Sequence, residues 1–228
     1  GHVVDIGAKN RKEAERRVKI GETFAVVSDV VKLAGTRVAG RPMDDRIGAV
    51  VLIEAAKRLK GVDVKNDIYF CFTVQEEVGL KGAITSTACI EPHFGIAIDV
   101  CPTGDDPSAG MDIPVAVGKG PTVKIKDMSV ICSPKMVTFM QVTAEENGIP
   151  YQNEIILGGG TDTCSMQMSG PDVMATCVSI PTRHIHSAAE MYDWRDVEQA
   201  AALLEESGCP DPAIDSRWIA EDLLNLSP

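Results

Sequence analysis

Two stretches, HFGIAIDV (93–100) and DVMATCVSIP (172–181), are apolar on both of the faces that a strand presents, and DIYFCFTV (67–74) has the same character. A strand with one face in water alternates apolar and polar residues, whereas an uninterrupted run belongs to a sheet buried on both sides. Helical patterns lie between these runs. RIGAVVLIEAAKRLKG places Ile47, Val50, Val51, Leu52, Ala55 and Leu59 on one face and has Gly61 for a C-terminal cap. SPKMVTFMQVTAEENG carries Ser133 and Pro134 at its start and Gly148 as its stop, and RDVEQAAALLEESG supplies a last helix. TVKIKD and NEIIL read as further short strands, NRKEAERR as a short charged helix, and Thr23–Val38 as strand and turn. This alternation predicts an α/β fold: a mixed, mostly parallel sheet covered by helices on both faces.

Composition narrows the function. A chain of 228 residues with 33 acidic and 22 basic side chains carries a formal charge of −11, which repels phosphate backbones, so nucleic acid is not expected as a partner. No apolar run is long enough to span a membrane. Seven scattered cysteines without a C-x-x-C pair fit reduced thiols and a cytoplasmic location.

In open α/β sheets, ligands collect beyond the C-terminal ends of strands. Glu76 and Glu77 follow one apolar run, Asp99 closes IAID, His184 and His186 follow VSIPTR, and Asp44-Asp45 open a helix. Each has a plainer explanation: a helix cap for Asp44-Asp45, a solvated turn for Glu76-Glu77, an exposed strand end for Asp99, and structural donors for the histidines. Acids and imidazole stopping several elements at once point instead to a divalent-metal site, with nitrogen and oxygen ligands suited to zinc, cobalt or manganese.

The segments VVDIGAKNRKEAE, GRPMDDRIGAVVLIEA, TVQEEVGLKGA, AIDV, GGGTDT and SIPTRHIHSAAEMYDWRDVE together resemble the cocatalytic metallo-aminopeptidases of the glutamyl-aminopeptidase and tetrahedral-aminopeptidase type, some of which carry the names cellulase M or endoglucanase. The resemblance implies a zinc-exopeptidase-like fold and hydrolysis of N-terminal residues from peptides. Two divalent ions per subunit, zinc or cobalt, are implied for the complete site. By position it implies that Asp44 bridges the metals across a cis Asp44-Asp45 bond, that Glu77 and His186 ligate one ion and Asp99 the other, and that Glu76 is the general base. Gly159, Gly160, Thr161 and Asp162 of the GGGTDT loop fall near the substrate in the family, which also forms cage-like assemblies, so a homo-oligomer is expected.

The departures matter as much. The family's remaining ligand, a His in an H-x-D pattern before the DDR motif, is absent, and His2 falls elsewhere in the alignment. His184 replaces a usual Tyr, and Thr163 a usual Ala. Residues 1–40 are then expected to be the C-terminal remnant of an inserted β (dimerisation) domain, residues 41–208 the catalytic domain, and residues 209–228 a tail or extra helix. The expectation is an N-terminally truncated chain with one well-formed metal site from Asp44, Glu77 and His186 and impaired activity. The alternatives are a glycoside hydrolase, which sits poorly with 4% aromatic residues, and a noncatalytic or truncated assembly subunit.

Overall fold

The computed structural model describes residues 4–106, 112–170 and 172–208. Among these, seven strands and six α-helices form two sheets with flanking helices. The larger sheet has the order β3-β6-β4-β5, from Phe94–Cys101 (β3), Thr122–Lys126 (β4), Gln152–Ile155 (β5) and Met174–Pro181 (β6). β3 pairs with β6 and β4 with β5 in parallel, whereas β4 runs antiparallel to β6, so the sheet is mixed. A smaller antiparallel sheet, β1-β2-β7, joins Val31–Lys32 (β1), Arg37–Gly40 (β2) and Glu190–Asp193 (β7). β2 thus binds a strand from the far end of the chain.

Both faces of β6 are covered, and its run is apolar apart from Thr176 and Ser179, which are themselves buried. Val178 and Ile180 join the main core with Ile47, Val51 and Ala55 of α2 (Arg46–Arg58), Val137 and Met140 of α4 (Pro134–Glu146), and Val197 and Leu203 of α6 (Trp194–Gly208). Residues of the opposite parity face the other side. There Met166 of α5 (Asp162–Met168) lies close over Gly95, next to Ala175, and α5 packs on α3 (Lys81–Ile90). The charged segment near the N-terminus forms α1 (Arg11–Arg17), with Asn10 capping Glu13 N–H.

DIYFCFTV departs from expectation. Residues 67–74 form no strand: Phe70 packs toward the core, but Tyr69, Phe72 and Val74 are exposed, and no strand of either sheet pairs with them among the described residues. Apolar sequence gives a segment its extended character, but a strand exists only when a neighbour takes its backbone hydrogen bonds. α3, α5 and β7 were not anticipated, because each is short and lacks a marked period of its own. The expected tail or extra helix at 209–228 lies outside the described residues.

Two polar features hold the fold from inside. Lys124 of β4 and Glu154 of β5 are fully buried and ion-paired, Glu154 also accepts from Thr122 Oγ1 at 2.5 Å, and Asp127 lies 3.6 Å from the Lys124 ammonium. In the smaller sheet, Asp193 accepts from Thr36 Oγ1 at 2.7 Å and from Arg195 Nε and Nη2 at 2.9 and 2.8 Å. The Arg195 guanidinium, supported by Thr36 and the Arg195 N–H, pulls the Asp193 carboxyl down to about 2 against the opposing effect of burial.

Lys124→Met leaves Glu154 charged and unpaired in the core and is expected to cost about 3–5 kcal/mol in urea denaturation. Lys124→Met combined with Glu154→Leu should recover most of that loss. For Asp193, a folded pKa depressed below the unfolded value gives stabilisation that is complete above about pH 4 and lost as the pH falls toward 2. Asp193→Asn should therefore be less stable than the parent at neutral pH, and the two melting temperatures should converge between pH 4 and 2.

Candidate metal centre

Three loops deliver the acids and imidazole to one place. The first runs from β2 into α2. Asp45 turns back to cap the helix, its Oδ1 accepting from Gly48 N–H at 2.9 Å, and Gly48 is required because a Cβ there would occupy the same space as the Asp45 carboxyl. The capping role considered for the pair thus falls to Asp45, and Asp44, across a cis peptide bond, is left facing the cluster.

The second loop precedes α3. Gln75 adopts a left-handed conformation (φ 60°), and Glu76–Val78 form a short 3-10 helix that presents Glu76 half-buried and Glu77 exposed. The third loop follows β6, and there His184 and His186 are both left-handed, at φ 58° and 62°. A non-glycine residue in that region is strained and is kept there by its surroundings.

His186 Nε2 lies 2.8 Å from Asp44 Oδ2 and 3.3 Å from Glu77 Oε1. One ligand atom from each of Asp44, Glu77 and His186 falls within 4.8 Å of the others, and this trio is the single such grouping found among the described residues. Asp99 does not join it. Its Oδ1 accepts from Val100 N–H at 2.7 Å, and it lies close enough to feel the charges of Asp45, Asp44 and Glu76. His184 points elsewhere, with Nδ1 3.0 Å from Asp106 Oδ2.

The GGGTDT loop meets the site through Asp162, whose Oδ2 accepts from Thr73 Oγ1 at 2.7 Å, while its other carboxylate oxygen is buried without a hydrogen-bond partner. Gly159 and Gly160 are exposed and Thr161 is buried, its hydroxyl 3.0 Å from that of Thr163.

Negative charge accumulates here. Burial, followed by the charges of Asp162, Glu77 and Asp44, pushes Glu76 up to about 7. Asp44 is raised first by burial and next by Glu77, with His186 opposing. Asp45 and Asp99 are raised well above the usual carboxylate range, burial leading in both. A divalent cation would reverse this balance by favouring the ionised carboxylates. The donors present, one imidazole nitrogen and two carboxylates from separate loops, suit zinc or cobalt, and the Asp162 oxygen without a hydrogen-bond partner adds acceptor capacity on a residue close enough to act on Glu76.

A residue that sequence patterns did not single out bonds to both the Asp44 loop and the His186 loop. Glu190, buried at the start of β7, accepts from Met43 N–H at 2.5 Å, Asp44 N–H at 3.3 Å and His186 N–H at 2.9 Å. Its one sequence signal is an acid four residues beyond His186 in an otherwise apolar stretch.

A mixed α/β sheet whose edge loops gather carboxylates and imidazole offers donors for a divalent cation. The chain belongs to the M42 glutamyl aminopeptidase family, whose profile matches residues 2–203. It is 43% identical over 206 residues to a protein of Acetivibrio thermocellus named as an aminopeptidase, covering 90% of this chain and 61% of the relative. It is 37% identical over 210 residues to the lysyl aminopeptidase of Pyrococcus furiosus, covering 90% of this chain and 59% of that one. The chain thus spans about three-fifths of the length of these relatives.

Among solved structures, the TET aminopeptidase of Thaumarchaeota archaeon SCGC AB-539-E09 superposes with a TM-score of 0.85 at 35% identity, covering 94% of this chain and 62% of that one. The TET1 peptidase of Pyrococcus horikoshii, described as assembling into a tetrahedron or an octahedral shell, gives 0.76 at 35% identity, with 91% and 60% covered. An endoglucanase of Thermotoga maritima gives 0.67 at 28% identity, with 87% and 57% covered.

Removing a donor from the trio should weaken zinc or cobalt binding by more than the 10- to 100-fold typical of changes one contact further out. Titration calorimetry on His186→Ala and Glu77→Ala checks this, and unchanged affinity in both would remove the trio as a metal site.

Proposed function

We propose that this chain carries the catalytic side of a metal-dependent aminopeptidase that removes N-terminal residues from peptides. The observation that carries the reading is the convergence of Asp44, Glu77 and His186 from three loops, with Glu76 beside them. Asp44, Glu77 and His186 would hold a divalent cation, which when bound would supply Lewis acidity toward the scissile carbonyl and toward water. Glu76 is the general base: half-buried and outside the trio, its carboxyl is free to take the proton of the attacking water and pass it to the leaving amine. Asp99 would serve a second cation, and Asp44 would be shared with it. The exposed backbone of Gly159 and Gly160 and the adjacent Thr161 and Asp162 form the substrate edge. The surplus of carboxylates also suits a substrate that arrives with a free, positively charged amine.

The same reading takes residues 1–40 as part of a smaller β domain, 41–208 as the catalytic domain, and the whole as a zinc-exopeptidase-like fold. Assembly of the horikoshii TET1 peptidase into closed shells supports a homo-oligomer built from this chain. A glycoside hydrolase, the activity named for the Thermotoga relative, fits less well, since an imidazole within hydrogen-bonding distance of two carboxylates is a metal-ligand arrangement more than an acid pair spaced for sugar hydrolysis.

Zinc- or cobalt-loaded protein should release N-terminal residues from aminoacyl anilides and lose that activity to a chelator. Glu76→Gln should keep its metal, measured by elemental analysis, and lose about 10²- to 10⁴-fold in kcat. Full turnover by Glu76→Gln would exclude it as the base, and release of reducing sugar that survives chelation would support the glycosidase instead.

A further inference from the structure

We propose that Glu190 is a positioning residue, a buried carboxylate that clamps the Asp44 loop to the His186 loop and so sets the geometry of the metal ligands. The inference rests on the reading of Asp44 and His186 as ligands. Glu190 lies 2% exposed, and the side-chain hydrogen bonds it makes go to three backbone amides: Met43 and Asp44 on Oε2, His186 on Oε1. Two of those amides belong to the ligand residues themselves and the third to the residue before Asp44.

The donor arithmetic requires a carboxylate. Both oxygens accept here, whereas a Gln at this position would turn its NH₂ toward one of the two loops. Charge-assisted bonds to backbone N–H groups are also the stronger kind. The left-handed His186 needs such a restraint, because an untied His186 would relax toward ordinary backbone angles and carry its imidazole away from Asp44. Arg41 Nη1 also joins the two loops, donating to Ser187 O at 2.7 Å, but it touches neither ligand residue. The clamp is placed by the smaller sheet: Glu190 pairs with Gly40 in the β2–β7 ladder, next to the turn that carries Asp44. That ladder therefore fixes where the ligands stand, although no residue of β2 belongs to the trio.

The experiment is cobalt titration of the protein, followed by visible absorption and calorimetry, on the parent, Glu190→Gln and Asp196→Asn. Asp196 is a control, a buried carboxylate that accepts from the Gly118 and Gly120 amides and from neither loop that carries Asp44 or His186. Glu190→Gln is expected to bind cobalt about 10- to 100-fold more weakly with an altered ligand-field spectrum, while Asp196→Asn keeps the parent's affinity and spectrum. Equal affinity and spectrum for Glu190→Gln and the parent would overturn the clamp, as would an equal loss in Asp196→Asn, which would mark general loosening. A parent that binds no cobalt would overturn the ligand reading, and the clamp with it, whatever the variants do. If Glu190→Gln does not fold, amide exchange of the parent decides: slow exchange of Met43, Asp44 and His186 supports the clamp, and rapid exchange of the His186 amide overturns it.

Discussion

β6 is the strand on which the geometry depends, because it is paired along both edges, parallel to β3 and antiparallel to β4. Its pairing with β3 runs in unbroken register from Phe94↔Met174 to Cys101↔Pro181, so Asp99 and the loop that leaves Pro181 for His186 reach the same edge of the sheet. Both faces of β6 are buried under helices, its polar residues Thr176 and Ser179 included. Asp99 stands two residues before the end of β3, and His186 lies in the loop beyond β6.

Beyond the sheet edge the controlling force is electrostatic. Asp44, Asp45, Glu76, Asp99 and Asp162 all have their protonated forms favoured by burial, with neighbouring acids adding to the effect in all but Asp162. A fold that spent its acids only on solubility would spread them over the surface. Concentrating them at one edge costs stability unless a cation offsets the repulsion, which ties the arrangement to metal chemistry. Within the crowd each carboxylate meets a different environment. Asp45 is occupied by the α2 amide, Asp99 by its neighbour's N–H and Asp162 by Thr73, leaving Asp44 and Glu77 to meet His186.

Much of this was legible along the chain, and for an identifiable reason. The apolar runs at 93–100 and 172–181, the amphipathic pattern of 46–61 and the Ser-Pro start at 133 are local signals that hold wherever a compact core forms. The acids at the ends of elements were legible because each breaks an apolar run, although that signal does not say where the charge goes: Lys124 and Glu154 also interrupt apolar runs and are buried as an ion pair. DIYFCFTV looked equally clear and is not a strand, because pairing belongs to two segments and cannot be read from one. Glu190 went unnoticed because nothing in HSAAEMYD separates an acid that will be buried from one that will be solvated.

The sequence by itself determined the α/β class, the helices with strong periodicity, and the set of residue types from which a metal site could be drawn, because these follow from side-chain polarity and near-neighbour spacing. Only the tertiary structure decided which acids face one another: that Asp45 caps a helix while Asp44 meets His186, that Asp99 stands apart, and that Glu190 joins two loops from opposite ends of the chain. Those outcomes depend on backbone conformations a few residues long and on contacts between positions more than a hundred residues apart. They are settled by tertiary packing: residue polarity and spacing alone carry no record of them, and the grouping of Asp44, Glu77 and His186 was implied only by the family resemblance.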